Sequence, residues 1–154
     1  MKQIANDIFF QHVEQELSKG NPVLIPLKGT SMFPFIRNGK DKVLLSAVSP
    51  VTPLHKLDVV LFRYKGNHVL HRIISINGDT YTIQGDGIYA SHETCTRLDI
   101  IAKAVEIHRL RSVADFRIIS TRSFCWKLLS GLWHFFRPVR RYLLYIFLRC
   151  PFLQ

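Results

Sequence analysis

Ser31 stands in the stretch Leu27-Lys28-Gly29-Thr30-Ser31-Met32-Phe33-Pro34-Phe35, whose residue types suit nucleophilic chemistry. Gly29 permits a tight turn or a close approach to another chain. Pro34 fixes its own φ and pushes Phe33 toward extended backbone, which keeps the serine out of a long helix. A neutral serine hydroxyl is a weak nucleophile, so a base must take its proton as it attacks. Histidine suits that task, because an unperturbed pKa of ~6.5 leaves it largely neutral at pH 7. The chain has 7 histidines. Strand alternation sets His71 with Val69 and Ile73 on one face, a semi-enclosed setting for a base.

A third group should hold the imidazole in one tautomer. The Asn77-Gly78-Asp79 turn signals a hairpin, and its register limits the choice. A two-residue Asn77-Gly78 loop sets His71 opposite Gln84 with Asp86 diagonal to it; a four-residue loop sets His71 opposite Asp86. Both registers bring the two side chains to one face, with Cβ atoms ~4.5 to 8 Å apart. A three-residue loop would put them on opposite faces. Asp86 is therefore the expected orienting acid.

The segments around these residues form an ordered series. Gly39-Lys40-Asp41 and Val43-Leu44-Leu45 come first, then Leu57-Asp58-Val59-Val60-Leu61-Phe62, Val69-Leu70-His71-Arg72-Ile73-Ile74 and Gln84-Gly85-Asp86-Gly87. Over residues 22–107 the series resembles the type I signal peptidases, with a G-x-S-M-x-P serine box, a D-V-V strand, an H-R-I-I strand and a late G-D. The resemblance implies a coiled antiparallel β domain, shared more distantly with LexA-like repressor peptidases. It also implies a histidine base at His71, as in the endoplasmic-reticulum and archaeal branch; the bacterial branch uses lysine. For the oxyanion and substrate side it points to Gly29, Thr30 and Met32. The Ser31 amide is the natural donor there, with Thr30 as a further contributor, since Gly29 occupies the bacterial branch's side-chain donor position. One departure concerns the acid. The eukaryotic-type enzymes carry further aspartates after the G-D, whereas this chain reads Ile88-Tyr89-Ala90-Ser91-His92-Glu93, so the third group is either Asp86 alone or Glu93 standing in for those aspartates.

The elements that must position these residues follow from pattern. Ile4, Ile8, Phe9, Val13 and Leu17 recur at helical spacing, predicting an amphipathic helix over 3–18 that ends near Gly20. Strands are expected over 23–27, 42–47, 57–64, 69–76, 80–84 and 100–107, with 88–99 as loop. Pro26 suits an edge strand, where a substrate peptide can add as one strand more. The fold class is thus mainly β, with an amphipathic helix at 1–20, a peptidase domain at 21–115 and a basic helical tail at 116–154.

Charge separates the tail from the rest. All 11 acidic residues lie within 1–115 beside 14 Lys and Arg, whereas 116–154 holds 7 Lys and Arg and no acid. Phe124, Leu128, Leu132 and Phe135-Phe136 fall on one helical face, widened by Trp126, Leu129 and Trp133. Tyr142 to Leu148 forms a second apolar segment beyond Arg137-Pro138-Val139-Arg140-Arg141. Neither half reaches the ~20 residues that span a bilayer. The expected arrangement is a helical hairpin in the interface of an anionic membrane; the competing one packs these helices on the β domain. Residues 1–20 carry Lys2, Asp7, Glu14, Glu16 and Lys19 and lack an apolar core, unlike the anchor that usually opens a signal peptidase. Together these features suggest a location in the cytoplasm or on the inner face of the cell membrane.

Other chemistry finds little support. Three cysteines without a C-x-x-C give no disulfide framework. His92-x-x-Cys95 offers two ligands, short of a metal site, and no glycine-rich phosphate loop is present. No cofactor, metal or nucleic acid is expected. The leading reading is a serine endopeptidase that cleaves a leader or signal segment from a peptide or preprotein bound as an extended strand. The alternative is a non-catalytic peptide-binding module with a membrane- or nucleic-acid-binding tail.

Overall fold

The computed structural model describes residues 2–112 and 115–136, together with 139, 142 and 145, and the side chains from Asp7 onward. Helix α1 (Lys2–Ser18) presses Phe10, Val13 and Leu17 onto the sheet and leaves Ile8 and Phe9 facing solvent. It ends where Gly20 adopts a φ of 85°, a conformation glycine takes without strain. Eight strands follow: β1 (Val23–Pro26), β2 (Asp41–Ala47), β3 (Val59–Tyr64), β4 (Asn67–Asn77), β5 (Thr80–Gln84), β6 (Glu93–Thr96), β7 (Ile100–Ser112) and β8 (Asp115–Ser120). Helix α2 (Phe124–Phe135) follows β8.

The strands form one antiparallel sheet in the order β1-β2-β7-β3-β4-β5-β6. β8 pairs with the far half of β7, from Glu106 to Ser112, beyond Lys103 where β3 leaves that side of β7. The chain is therefore mainly β with a helix at each end, as its pattern predicts.

Three boundaries differ from expectation. β6 lies within 88–99, where a loop was expected. Only Cys95 of its four residues turns into the core, so the strand leaves no apolar run to read. β7 runs to Ser112, five residues past the expected end. β8 occupies the start of the expected tail, so the sheet extends to Ser120 and the boundary between 115 and 116 falls inside a strand. Its Phe116, Arg117 and Ile118 are all exposed, and a strand exposed on both faces carries no alternation. Pairing with β7, helped by the β propensity of Phe and Ile, decides its state.

Two cores lie on opposite faces of the central strands. In β3, Val59 and Leu61 enter one core, whereas Val60 and Phe62 enter the other. This is why Val59-Val60-Leu61-Phe62 reads as an unbroken apolar run. The first core also takes Val13 and Leu17 from α1, Met32 and Ile36 from the serine loop, and Trp126 from α2. The second gathers Ile73, Tyr81, Ile83, Cys95 and Ile100. β-bulges interrupt the pairing of β2 with β7, β3 with β7, β4 with β5, and β7 with β8. Bulges bend and locally twist the strands that carry them.

Helix α2 packs on the β domain along one side, the arrangement set against the membrane hairpin. Ser123 caps its start by accepting from the Trp126 amide. Trp126 and Ser130 are buried, and Trp126 stacks edge-on with Phe35 at 5.3 Å. Phe124, Leu128, Leu132 and Phe135 point outward. The stripe expected to define the helix is thus its exposed face, and the tryptophan side docks. The second apolar segment, Tyr142 to Leu148, falls outside the described residues apart from Tyr142 and Tyr145. Among the described residues no helix is long and apolar enough to cross a membrane.

Because Trp126 is only 6% exposed within the first core, Trp126→Ala should destabilise the protein by about 3 to 5 kcal/mol. Urea unfolding measures this. A loss well below ~1 kcal/mol would mean that α2 is not part of the core.

Candidate active site

The serine loop spans the connection from β1 to β2 and is closed at its base. Gly39 N donates to Leu27 O at 3.2 Å, and Gly29 N donates to Asn38 Oδ1 at 3.0 Å. Asp41, 1% exposed, receives Arg37 from one side and Arg109 from the other, and Arg109 also donates to Phe35 O at 2.7 Å. Gly29 has a φ of 95°, open to glycine and costly for other residues. Phe33 N bonds back to Thr30 O at 3.1 Å, giving a turn centred on Ser31 and Met32, and the Phe33–Pro34 peptide bond is cis.

This geometry assigns the expected oxyanion and substrate residues differently. Met32 is fully buried in the first core and anchors the turn, so its side chain does not face a substrate. The Gly29 amide is already engaged by Asn38. Thr30 is exposed, Ser31 is partly exposed, and among the described residues the Ser31 amide makes no hydrogen bond.

The turn rests on Gly85-Asp86-Gly87. Gly87 N donates to Ser31 O at 2.7 Å. A β-carbon on Gly85 would lie 2.5 Å from Ser31 O and 3.0 Å from His71 Nε2, and one on Gly87 would lie 2.5 Å from Thr30 O. Both positions therefore require glycine for close approach. The absent side chain of Gly85 is what lets the serine turn and the imidazole converge.

His71 is 4% exposed on β4, and its Nδ1 lies 3.1 Å from Glu93 Oε2. A carboxylate only accepts, so this contact puts the proton on Nδ1 and leaves Nε2, the atom that meets the serine turn over Gly85, as the basic nitrogen. Among the described residues no hydrogen bond joins Ser31 Oγ to His71.

The expected role of Asp86 is not met, for a reason of register. The hairpin starts with Asn77↔Thr80, Ile76↔Tyr81 and Ser75↔Thr82, the register that would bring Asp86 opposite His71. A bulge at Ile74 then shifts the pairing by one, to Ile73↔Ile83 and Arg72↔Gln84. Carried onward, that register sets Gly85 beside His71 and moves Asp86 to the face of Arg72. Glu93, paired with Ile83 on the neighbouring strand, reaches the imidazole over the space Gly85 leaves.

Asp86 and Arg72 are both fully buried and bidentate, Nε to Oδ1 at 2.8 Å and Nη2 to Oδ2 at 2.7 Å. Arg72 Nη1 also donates to Leu57 O and Ser130 Oγ, each at 2.9 Å, and its guanidinium lies over the rings of Phe35 and Trp126. His134 Nε2 is 3.4 Å from Asp86 Oδ1. Burial alone would raise the Asp86 pKa. The Arg72 charge, the contact with His134 and the hydrogen bonds from Arg72 outweigh it and hold the carboxyl below its ordinary value.

Arg72, Ser130 and His134 are residues the sequence left without a role, and Trp133 was expected on the apolar face of the tail helix rather than beside the site. The signal for Arg72 was present: a charge inside a strand buried on both faces needs a buried partner. The other histidine of β4 is occupied elsewhere. His68 Nε2 lies 2.7 Å from Glu14, and its ring stacks on Phe10. His92 is exposed and Cys95 buried, and no metal-binding group occurs among the described residues. Burial pushes the Cys95 thiol up to about 12, so it stays protonated and inert. A scan against protein-family models and a search of curated proteins return no match to this chain.

Asp86→Asn leaves Arg72 buried without its charge partner and should cost about 3 to 5 kcal/mol at pH 7. The folded pKa is depressed, so the stabilisation is complete above the ordinary carboxylate value of ~3.9 and fades as pH falls through the folded value. Acid unfolding of the wild type should therefore steepen below about pH 4, and the variant should lack that component.

Proposed function

We propose that this chain is a serine endopeptidase of signal-peptidase-like type, with Ser31 as nucleophile, His71 as general base and Glu93 as the acid that orients it. The observation that carries the reading is the convergence of the Ser31 turn and His71 Nε2 over Gly85, with Nδ1 held from behind by Glu93. The antiparallel sheet is compatible with the coiled β fold of the signal peptidases and LexA-like peptidases.

In this mechanism Ser31 Oγ attacks the scissile carbonyl while His71 Nε2 takes its proton. The Ser31 amide, with Thr30 beside it, receives the oxyanion; one such donor is worth ~2.7 to 4 kcal/mol of barrier. The imidazolium then gives its proton to the leaving amine, and water releases the acyl group through the same base. Catalytic hydrogen bonds are often long before substrate binds, so the Ser31–His71 gap is one that substrate would close. The edge strand β1, with Leu24 and Pro26 exposed, is where an extended leader or signal segment would add.

A non-catalytic peptide-binding module is favoured by that same gap between Ser31 Oγ and His71. It predicts peptide binding without turnover. Ser31→Ala should abolish cleavage with the fold intact, and His71→Ala should cost about as much, because residues that act as a unit are not additive. Glu93→Gln should lower kcat on the order of 10²-fold or more while leaving KM nearly unchanged. Peptide cleavage assays check all three, and undiminished turnover in Ser31→Ala would end the enzymatic reading.

The partner proposed for the carboxy-terminal region is an anionic membrane surface, met on the inner face of the cell membrane. The outward face of α2 exposes Phe124, Leu128, Leu132 and Phe135, and it continues into an apolar groove of about 730 Å³ between α2 and β8. Binding would join apolar insertion to attraction by the acid-free basic charge of 116–154. Vesicle sedimentation should show binding that weakens with salt without vanishing. The double change Phe124→Ser, Leu128→Ser should abolish it without unfolding the chain, since both side chains are exposed.

A further inference from the structure

We propose that Trp133 of α2 is a positioning residue for Ser31, acting through the single peptide group between Asp86 and Gly87; the inference rests on the reading of Ser31 as nucleophile. Trp133 Nε1 donates to Asp86 O at 3.0 Å, and Gly87 N donates to Ser31 O at 2.7 Å. That carbonyl and that amide belong to the same planar unit. An unbroken line therefore runs from the indole N–H through one rigid peptide to the serine carbonyl. Its bonds polarise one another in the same sense, since the accepting carbonyl makes the attached N–H a better donor.

That peptide is the middle one of a turn closed by Ile88 N donating to Gly85 O at 3.0 Å, and such a closure holds the ends of the turn while the middle peptide can still face either way, as in type I and type II turns. It joins Asp86 to Gly87, and glycine is the most permissive residue the backbone has. The Asp86 side chain is pinned from the other direction by Arg72, which α2 also holds through Ser130 Oγ at 2.9 Å. α2 thus grips both ends of Asp86, with Trp133 on its carbonyl and Ser130 behind its charge partner. Rotation of the Asp86–Gly87 peptide would carry the Ser31 carbonyl with it, and with that the direction of Oγ relative to His71 Nε2. Gly85 leaves no slack, because a β-carbon there would already clash with Ser31 O. The helix completes the active site as well as covering the sheet.

Acylation of Ser31 by a fluorophosphonate probe tests this without knowledge of the substrate. In full-length Trp133→Phe, which keeps a ring and removes the N–H, the limiting acylation rate should fall roughly 5- to 10-fold, the size of one hydrogen bond. The probe's half-saturating concentration should stay within about twofold, as expected when reactivity and not binding is lost. A purely structural role would lower the unfolding temperature and leave the limiting rate unchanged well below it. Ser130→Ala, which loses only a hydroxyl, should show a smaller drop of the same kind and carries the test if Trp133→Phe fails to fold. Leu98→Ala, at an exposed position away from α2 and the site, should acylate like the wild type. Wild-type rates in folded Trp133→Phe, or in folded Ser130→Ala where the first does not fold, would overturn the inference while leaving the peptidase reading in place. A wild type that is not acylated at Ser31, or is acylated equally in His71→Ala, would overturn both.

Discussion

The buried pair of Arg72 and Asp86 is the constraint on which the rest of the structure depends. Neither side chain reaches solvent, and an isolated charge at either position would be far more costly than the pair. Satisfying both recruits every part of the fold that surrounds the site. Arg72 takes the carbonyl of Leu57, whose φ of 76° is unusual for a non-glycine residue and places that carbonyl beside the guanidinium. It takes the hydroxyl of Ser130 from α2 and the ring faces of Phe35 and Trp126. Asp86 in turn fixes the two glycines between which the serine turn is seated. A buried ion pair seldom gains much net stability over a well-packed apolar pair. Its effect here is registry, since few other arrangements of β4, the β5–β6 connection and α2 would satisfy all of these groups together.

That same pair marks where sequence legibility stops. The amphipathic helix, the serine turn, β1 to β5 and most of β7 follow from periodicity and turn chemistry, because each has one clear apolar period. Ser31 and His71 were legible as candidates and do converge. The assignment of the acid failed on one residue of bulge at Ile74. Asn77-Gly78-Asp79 fixes the turn, but nothing in Ile73-Ile74-Ser75-Ile76 marks which position is extruded, and a shift of one exchanges the faces of Asp86 and Glu93 with respect to His71. β6 was hidden for a related reason. Glu-Thr-Cys-Thr is polar in composition, and its pairing with β5 becomes favourable only once β5 is itself in place.

Helix α2 shows a different limit. An apolar stripe is ordinarily taken as the buried side of a helix. Here the stripe of Phe124, Leu128, Leu132 and Phe135 faces outward, and the docked side mixes Trp126 and Trp133 with Ser130 and His134. The reason lies in what the helix docks on. A guanidinium flanked by aromatic rings calls for a hydroxyl acceptor, and a backbone carbonyl calls for an indole donor, as well as apolar area. A polar residue on a docking face is therefore information. Ser130 at 0% exposure is the kind of position that reports a buried partner elsewhere in the chain.

These relations tie reactivity to stability at one place. The group that would bring Ser31 toward His71 is backbone, held through glycines that cannot stiffen themselves, so its precision has to come from neighbours. Arg72, Asp86 and α2 supply it, and all are core elements whose loss would unfold the protein before it merely slowed it. Only changes that preserve volume and charge can separate the two effects. The indole N–H of Trp133 is such a handle: it contributes one hydrogen bond to a peptide the core already encloses, and it acts on the serine without being needed to bury it.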